Sequence, residues 1–566
     1  RLRLTELDEL LAARDSNILY IEPGEGLSRP RVTFSEGAIA APTNATRKVD
    51  REDLHGNGQG VIVGLIDVQG FDFAHPDFLD STGKTRFLSI WDQGEGGLRA
   101  SPDGYDYGSL ITRAQMNEAI RMSGTVGAPA TELEPQTEMD PGSHRTHVAS
   151  IAAGNKGVAR KAHIAAVLLS LGKDDWDPRK SFYDSTRIAD AVEFLLALGE
   201  RESKPVSINI SLGTNGASHD GSNGVSRWID HAFSRPGRAI SVAAGNAGQE
   251  RGETADDYGY IMGRIHTSGR IDAPDLDHDI TLNVVGNGIA DISENELEIW
   301  YPACDAFAVS VRPPGGQWIG PVEPRHFLQD RQLPDGSFLS VYNEHDHPVN
   351  GDNYIAIYLS PLLSEAGIVG VASGTWTIRL HGREVRDGRF HGWIERDDPR
   401  KVGRVGEKDA WNFPSFFTEQ SNVDNSSVSS LACGQRLIGV ANLDTGTERV
   451  HISSSEGPTR DGRPKPDIAA PGTDIAAANG FSGDDRWIGM TGTSMASPYV
   501  CGVAALMLAA QPDINAAQIQ AIMRRTAHPL PGHTYSWRKD AGYGRIDPKA
   551  CVEQSVRIHE MTDDQP

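Results

Sequence analysis

The chain has 566 residues, of which 38% are hydrophobic and 23% charged; these are ordinary values for a folded globular protein, at a length that favours more than one domain. Lys and Arg number 54 against 77 Asp and Glu, a net charge of −23 that repels phosphate backbones and anionic lipid, so neither nucleic acid nor membrane is expected as a partner. The 61 glycines and 32 prolines are spread along the chain, which excludes collagen-like and low-complexity architectures.

In chain order, RLRLTELDELLAARD has apolar residues at helical spacing, and ILYIEP reads as a short strand closed by Pro23 and Gly24. A Pro/Ser/Thr/Ala-rich stretch up to about Lys48 has a linker's composition. The chain begins at Arg1 rather than Met, so residues upstream are expected, a signal peptide among the options.

The pattern changes at Gly58. VIVGLI (61–66), HIAAVLL (163–169), VSINI (206–210) and AISVAA (239–244) are apolar runs of strand length, each leading into Gly, Ser, Asp or Asn. Between them, one segment places Ile188, Val192, Leu195 and Leu196 on a single helical face. Apolar strands alternating with helices predict an α/β fold, a parallel sheet covered by helices on both faces, with functional groups at the carboxyl ends of its strands.

Residues 251–428 differ. LEIWY (297–301), FAVSV (307–311), YIAIYL (354–359) and TWTIRL (375–380) are alternating or aromatic-rich runs between Pro/Gly/Asp turns, with no amphipathic helix among them. They predict an all-β sandwich or jelly roll inserted into the α/β unit. Trp300, Trp318, Trp376 and Trp393 are expected in its core rather than at a sugar-binding surface. From Leu437 the α/β pattern returns, with helices near 495–510 and 516–525. The expected units are therefore 1–45, 46–250, 251–428 and 429–566.

The four cysteines, Cys304, Cys433, Cys501 and Cys551, form no CxxC pair and fit neither a zinc site nor a disulfide framework. Cys433 and Cys501 lie in apolar runs as buried thiols. A reducing, cytoplasmic-type compartment is slightly favoured over secretion.

Four segments carry chemistry. Asp67 follows a buried strand in VGLIDVQGFDF, and His144 begins a helix in SHRTHVASIAAG. Asn246 follows a strand in SVAAGNAG, and Ser494 sits at a helix start in GTSMASPYVCG. A serine hydroxyl needs an imidazole to take its proton, and the imidazole needs a carboxylate to fix its tautomer. The oxyanion of a tetrahedral intermediate needs donors, which the Ser494 N–H at a helix N-terminus and the Asn246 amide supply. Gly492 and the small Ala496 leave room for a substrate backbone. His147 is expected as a packed helix residue and His75 as a turn residue.

The order Asp, His, Ser and the boxes GTSMASP, KPDIAAPG (465–472), HRTHVAS and SINISLG (207–213) resemble the subtilisin-like serine proteases, or subtilases. The resemblance implies a serine endopeptidase acting on proteins or peptides through an acyl-enzyme, without cofactor or catalytic metal. Ser211, Leu212 and Gly213 would then pair with an extended substrate. TRFLSIWDQ (85–93), YGSLITRAQMNEAI (107–120) and the inserted sandwich resemble the clostridial spore-germination subtilases of the Csp type. That resemblance implies a prodomain that stays bound after self-cleavage. ILYIEP looks like its last strand, and cleavage is expected between about Glu22 and Arg47.

The chain departs from the family's pattern in three places. Arg145 follows the histidine where the family has Gly, and it is expected to point to solvent or to pair with a carboxylate. The aspartate box, Asp67-Val68-Gln69-Gly70, carries one extra residue, and Asp67 is preferred to Asp72. The loop after the histidine helix is too short for the calcium site of secreted subtilisins. Asp275, Asp277 and Asp279 imitate an EF-hand start, but Ile280 and Gly286 stand where Gly and Glu belong, so a solvated acidic turn is expected. The alternative to an enzyme is a catalytically silent binding protein on the same fold.

Overall fold

The computed structural model describes residues 27, 32–35, 39–42, 55–94, 99–169, 185–248, 263–364, 367–395, 400–405, 408–483 and 485–563. The expected amino-terminal helix and the ILYIEP strand lie outside the described residues. Part of the expected linker is strand instead of coil. Thr33–Phe34 pairs antiparallel with Thr491 and Met490, and the Ser35 N–H donates to Gly489 O at 2.9 Å.

Ile62–Asp67 is the middle of a sheet that is nine-stranded among the described residues. Parallel to it run His163–Leu168 and Phe87–Asp92 on one side, and Val206–Ile210, Arg238–Ala243, Ile438–Asp444 and Ile468–Pro471 on the other. Short antiparallel strands, Ser109–Thr112 and Arg449–Val450, close the edges. Ile62 and Ile66 face one apolar core, and Val63 and Leu65 face the other. A strand buried on both faces must be apolar throughout, which is why VIVGLI reads as one continuous run.

Thr186–Glu202 covers one face through the buried Ile188, Val192, Leu195 and Leu196. His144–Ala153 and Thr493–Ala510 cover the other face. Thr493–Ala510 is also tied down by polar bonds. Ser207 Oγ donates to Cys501 O at 2.8 Å, and Ser241 Oγ donates to Ser497 O at 3.1 Å. Among the described residues it is the one helix long and apolar enough to cross a membrane, and it is 89% buried in this core.

The inserted region is built on two large antiparallel sheets, with three two-stranded ribbons beside them among the described residues. The six-stranded one runs Phe327–Gln332, Phe338–Glu344, Asn353–Ser360, Asn295–Tyr301, Arg389–Glu395 and His266–Arg270. The five-stranded one runs Ile319–Val322, Ala306–Arg312, Gly374–Glu384, Asp277–Val284 and Phe416–Phe417. Leu297, Ile299 and Tyr301 meet Phe307, Val309, Trp376 and Ile378 between them in a dry core. Trp376 is buried in this core as expected, but Trp300 and Trp393 are buried on the opposite face of their sheet, Trp393 stacking on His219, and Trp318 is half-buried between Arg312 and Arg379. The acidic turn is corrected. Asp277 and Asp279 lie on a strand, and Asp279 accepts a bidentate pair of bonds from Arg379 at 2.7 and 2.8 Å.

Alternation along Asn295–Tyr301 turns Glu296, Glu298 and Trp300 away from that core and toward the parallel-sheet unit. Burial, reinforced by the charges of Glu298 and Glu395, pushes the Glu296 carboxyl well above the usual range; burial likewise raises Glu298. The folded state therefore holds a proton that the unfolded chain has already released, and stability falls as pH rises through the raised value. Glu296→Gln keeps the proton-bearing shape without the charge. It is expected to raise the melting temperature by roughly 2–4 °C at alkaline pH and to change it little at pH 4. Equal shifts at both pH values would contradict this.

Candidate active site

Asp67 ends its strand fully buried, and the chain then turns sharply through Val68, Gln69 and Gly70. Gln69 adopts φ 81°, the left-handed region that most residues avoid. Its side chain accounts for the extra residue in the box: Gln69 Oε1 accepts the His144 backbone N–H at 3.0 Å. Gly70 permits close approach, because a Cβ there would lie 2.1 Å from Glu138 O. Ser143 caps the histidine helix by accepting from the Thr146 N–H, while its hydroxyl donates to Gly70 O at 2.5 Å. The helix start is thus bolted to the aspartate turn.

That arrangement brings the two together. His144 Nδ1–H donates to Asp67 Oδ2 at 2.9 Å, both side chains being buried. The bond leaves Nε2 as the basic nitrogen of the ring. Asp67 Oδ1 accepts the Val68 N–H at 2.8 Å. Asp72 is elsewhere: it accepts the Ala74 and Phe481 N–H groups at 3.2 Å each, and burial raises its carboxyl.

Arg145 does not point to solvent. It is fully buried, its guanidinium 5.9 Å from the Phe71 ring centroid, and its Nε lies 3.4 Å from Asp67 Oδ1. The carboxylate it pairs with is Asp67 itself. A buried carboxylate needs compensation, and a side chain adjacent to His144 supplies it from the far oxygen. Arg145→Met is expected to cost roughly 3–5 kcal/mol of unfolding free energy by urea titration. A loss below about 1 kcal/mol would show that the pair contributes no more than a surface ion pair does.

Ser494 lies in the first turn of Thr493–Ala510 and is 2% exposed. Pro498 has no N–H to give to the Ser494 carbonyl, which instead accepts Ser211 Oγ at 3.1 Å. Ser494 Oγ in turn donates to Ser211 O at 3.5 Å. His144 Nε2 is buried with no hydrogen-bond partner among the described residues. No hydrogen bond joins Ser494 Oγ to His144 among the described residues; loose geometry of this kind between a serine and an imidazole is common before substrate binds.

Asn246 joins the same turn. Its Oδ1 accepts both the Thr493 N–H at 3.0 Å and Thr493 Oγ1 at 2.9 Å, so the amide's donor end turns away from Thr493. Ser455 Oγ accepts the Ala247 N–H at 2.9 Å and steadies the loop. Ser211 and Leu212 are buried, and a Cβ on Gly213 would meet Ser429 Oγ at 3.1 Å. Asn209 links this strand to the serine helix, its Nδ2 donating to Ser211 Oγ at 2.9 Å and its Oδ1 accepting Ser497 Oγ at 2.7 Å.

His147 is buried, its Nε2 2.8 Å from Ile475 O, and His75 caps the turn Pro76–Phe78. Cys304 is exposed, and the other three cysteines are buried and unpaired; burial pushes their thiols up to about 12. Among the described residues no three His, Cys, Asp or Glu side chains cluster in a metal-binding arrangement.

The family model described as "Subtilase family" matches residues 58–269 and 409–547. Bacillopeptidase F of Bacillus subtilis is 37% identical over 92 residues, 16% of this chain and 6% of its own. The serine protease AprX of the same organism is 30% identical over 121 residues, 18% of this chain and 27% of its own. The matches thus span about a quarter or less of these relatives' length. The Clostridium perfringens CspB protease superposes with a TM-score of 0.70 at 24% identity, covering 91% of this chain and 98% of that one; this is a likeness of fold.

Proposed function

The chain belongs to the subtilase family, and from that premise we propose that it is a serine endopeptidase hydrolysing protein or peptide substrates through an acyl-enzyme. The observation that supports this most is the buried 2.9 Å bond between Asp67 and His144, with Asn246 bonded to Thr493, the residue before Ser494. Ser494 attacks the scissile carbonyl, and His144 Nε2 takes its proton and later gives it to the leaving amine. Asp67 keeps the ring in that tautomer. The Ser494 N–H and the Asn246 amide receive the negative charge that develops on the carbonyl oxygen. The backbone of residues 211–213 pairs with an extended substrate. These steps use this chain's own groups throughout.

Residues 46–250 and 429–566 form the protease in this reading, and 251–428 an inserted domain. Residues 1–45 are a prodomain remnant and linker, which the enzyme cleaves between about Glu22 and Arg47. Four cysteines of which none is paired suit a reducing compartment. A silent binding protein is the second reading, favoured by the Ser494 hydroxyl bonding Ser211 O instead of His144. Incubation with an unfolded protein, followed by peptide mass spectrometry, separates the two. New internal cleavages that Ser494→Ala abolishes support the endopeptidase, and an intact substrate supports the binder.

A further inference from the structure

The loop that follows the substrate-binding strand is held by the inserted sandwich. The Asn215 N–H donates to Glu395 Oε2 at 2.8 Å, and Thr214 Oγ1 donates to the same oxygen at 3.2 Å. Thr214 Oγ1 also accepts the Gly216 N–H at 3.1 Å. Two residues on, the Ala217 N–H donates to Glu298, whose oxygens also accept Trp300 Nε1 at 3.0 Å and the Tyr354 hydroxyl at 3.1 Å. The His219 ring then stacks on Trp393, centroids 4.2 Å apart and planes within 7°.

The loop backbone needs such support. Ala217 and His219 both stand in the left-handed region, at φ 68° and 50°, and neither is glycine, so neighbours must over-determine the conformation. On its other side the protease contributes Ser429, Ser430 and Arg460, whose Nε donates to Ser218 O at 2.8 Å and whose backbone N–H donates to His219 O at 2.9 Å. The Thr214 N–H donates to Ser429 Oγ at 3.2 Å, and Thr214 O accepts from the Ser430 N–H at 3.0 Å. Glu395 is thus spent on neutral N–H and O–H donors of one loop, and Glu298 adds the Ala217 N–H to its two partners within the sandwich.

We propose that Glu395, Glu298 and Trp393 are positioning residues, which fix the 214–219 loop and through it the substrate-binding strand and the pocket wall that selects the substrate side chain. The inserted sandwich thereby sets selectivity without touching the reacting atoms. This rests on the endopeptidase reading, and it extends that reading to the origin of specificity.

The test compares Glu395→Ala and Glu395→Gln with wild type in the full chain. The readouts are kcat and KM over peptides varied at the residue before the cleaved bond, the rate of labelling by a small fluorophosphonate, and amide hydrogen exchange at Asn215 and Ala217. Glu395→Ala is expected to raise KM about tenfold or more and to flatten the preference among peptides, with labelling within about twofold of wild type. Asn215 should exchange faster. Glu395→Gln retains an acceptor oxygen and should restore both. Unchanged preference with unchanged exchange, or equal loss in labelling and in every peptide, would overturn the proposal. A wild type that neither labels nor cleaves would instead refute the endopeptidase reading, and protected exchange lost in Glu395→Ala would still establish the clamp.

Discussion

Ser494→Ala and His144→Ala are each expected to lower kcat on a peptide substrate by about a millionfold, and the double variant by hardly more. Nucleophile and base act as a unit: once the base is gone the hydroxyl is a weak nucleophile, and once the hydroxyl is gone the imidazole has no proton to take. Asp67→Asn should cost about 10⁴-fold, because an amide in place of Oδ2 can donate to Nδ1 and present the wrong ring tautomer. Here the loss has a second origin. Arg145 would face a neutral amide 3.4 Å away while remaining fully buried, so the variant should also be less stable. Single-turnover kinetics on the purified variants, with a urea titration alongside, separate the two effects. Additive losses in the double variant would contradict the assignment of Ser494 and His144 to one proton-transfer unit.

Asn246→Ala is expected to lower kcat by about 10²–10³-fold with KM nearly unchanged, since in the proposed oxyanion role its amide binds charge that exists only in the transition state. The amide is held in register by the two Thr493 donors on its Oδ1, so Asn246→Asp makes an informative control. It keeps those two bonds but places an acceptor where a donor is needed, and it should be at least as damaging as Ala. If KM rose and kcat held, Asn246 would be binding the ground state and the oxyanion assignment would fail.

The parallel sheet was readable from the sequence because strands buried on both faces must be apolar without interruption, as VIVGLI and VSINI are. Asp67, His144, Asn246 and Ser494 were readable because each stands at the end of such a strand or the start of a helix. Their supporting contacts were not. Arg145 was open to solvent or to any of the many carboxylates, because nothing local reveals that it pairs with Asp67, 78 positions earlier in the sequence. Gln69 looked like an insertion, and only the fold shows that its amide bonds the His144 N–H. Asp277 and Asp279 mimicked a turn since their strand partners, His381 and Arg379, lie about a hundred residues away. The Glu395 contact to Thr214 and Asn215 joins two units separated by 180 residues, and no periodicity in either segment marks it.

Reaction of the full chain with a fluorophosphonate probe tests the central claim most directly. The account predicts covalent labelling at Ser494 in wild type, none in Ser494→Ala, and labelling slowed by orders of magnitude in His144→Ala. A folded wild type that fails to label once residues 1–45 are removed would contradict it, leaving the Asp67–His144 pair without a working nucleophile.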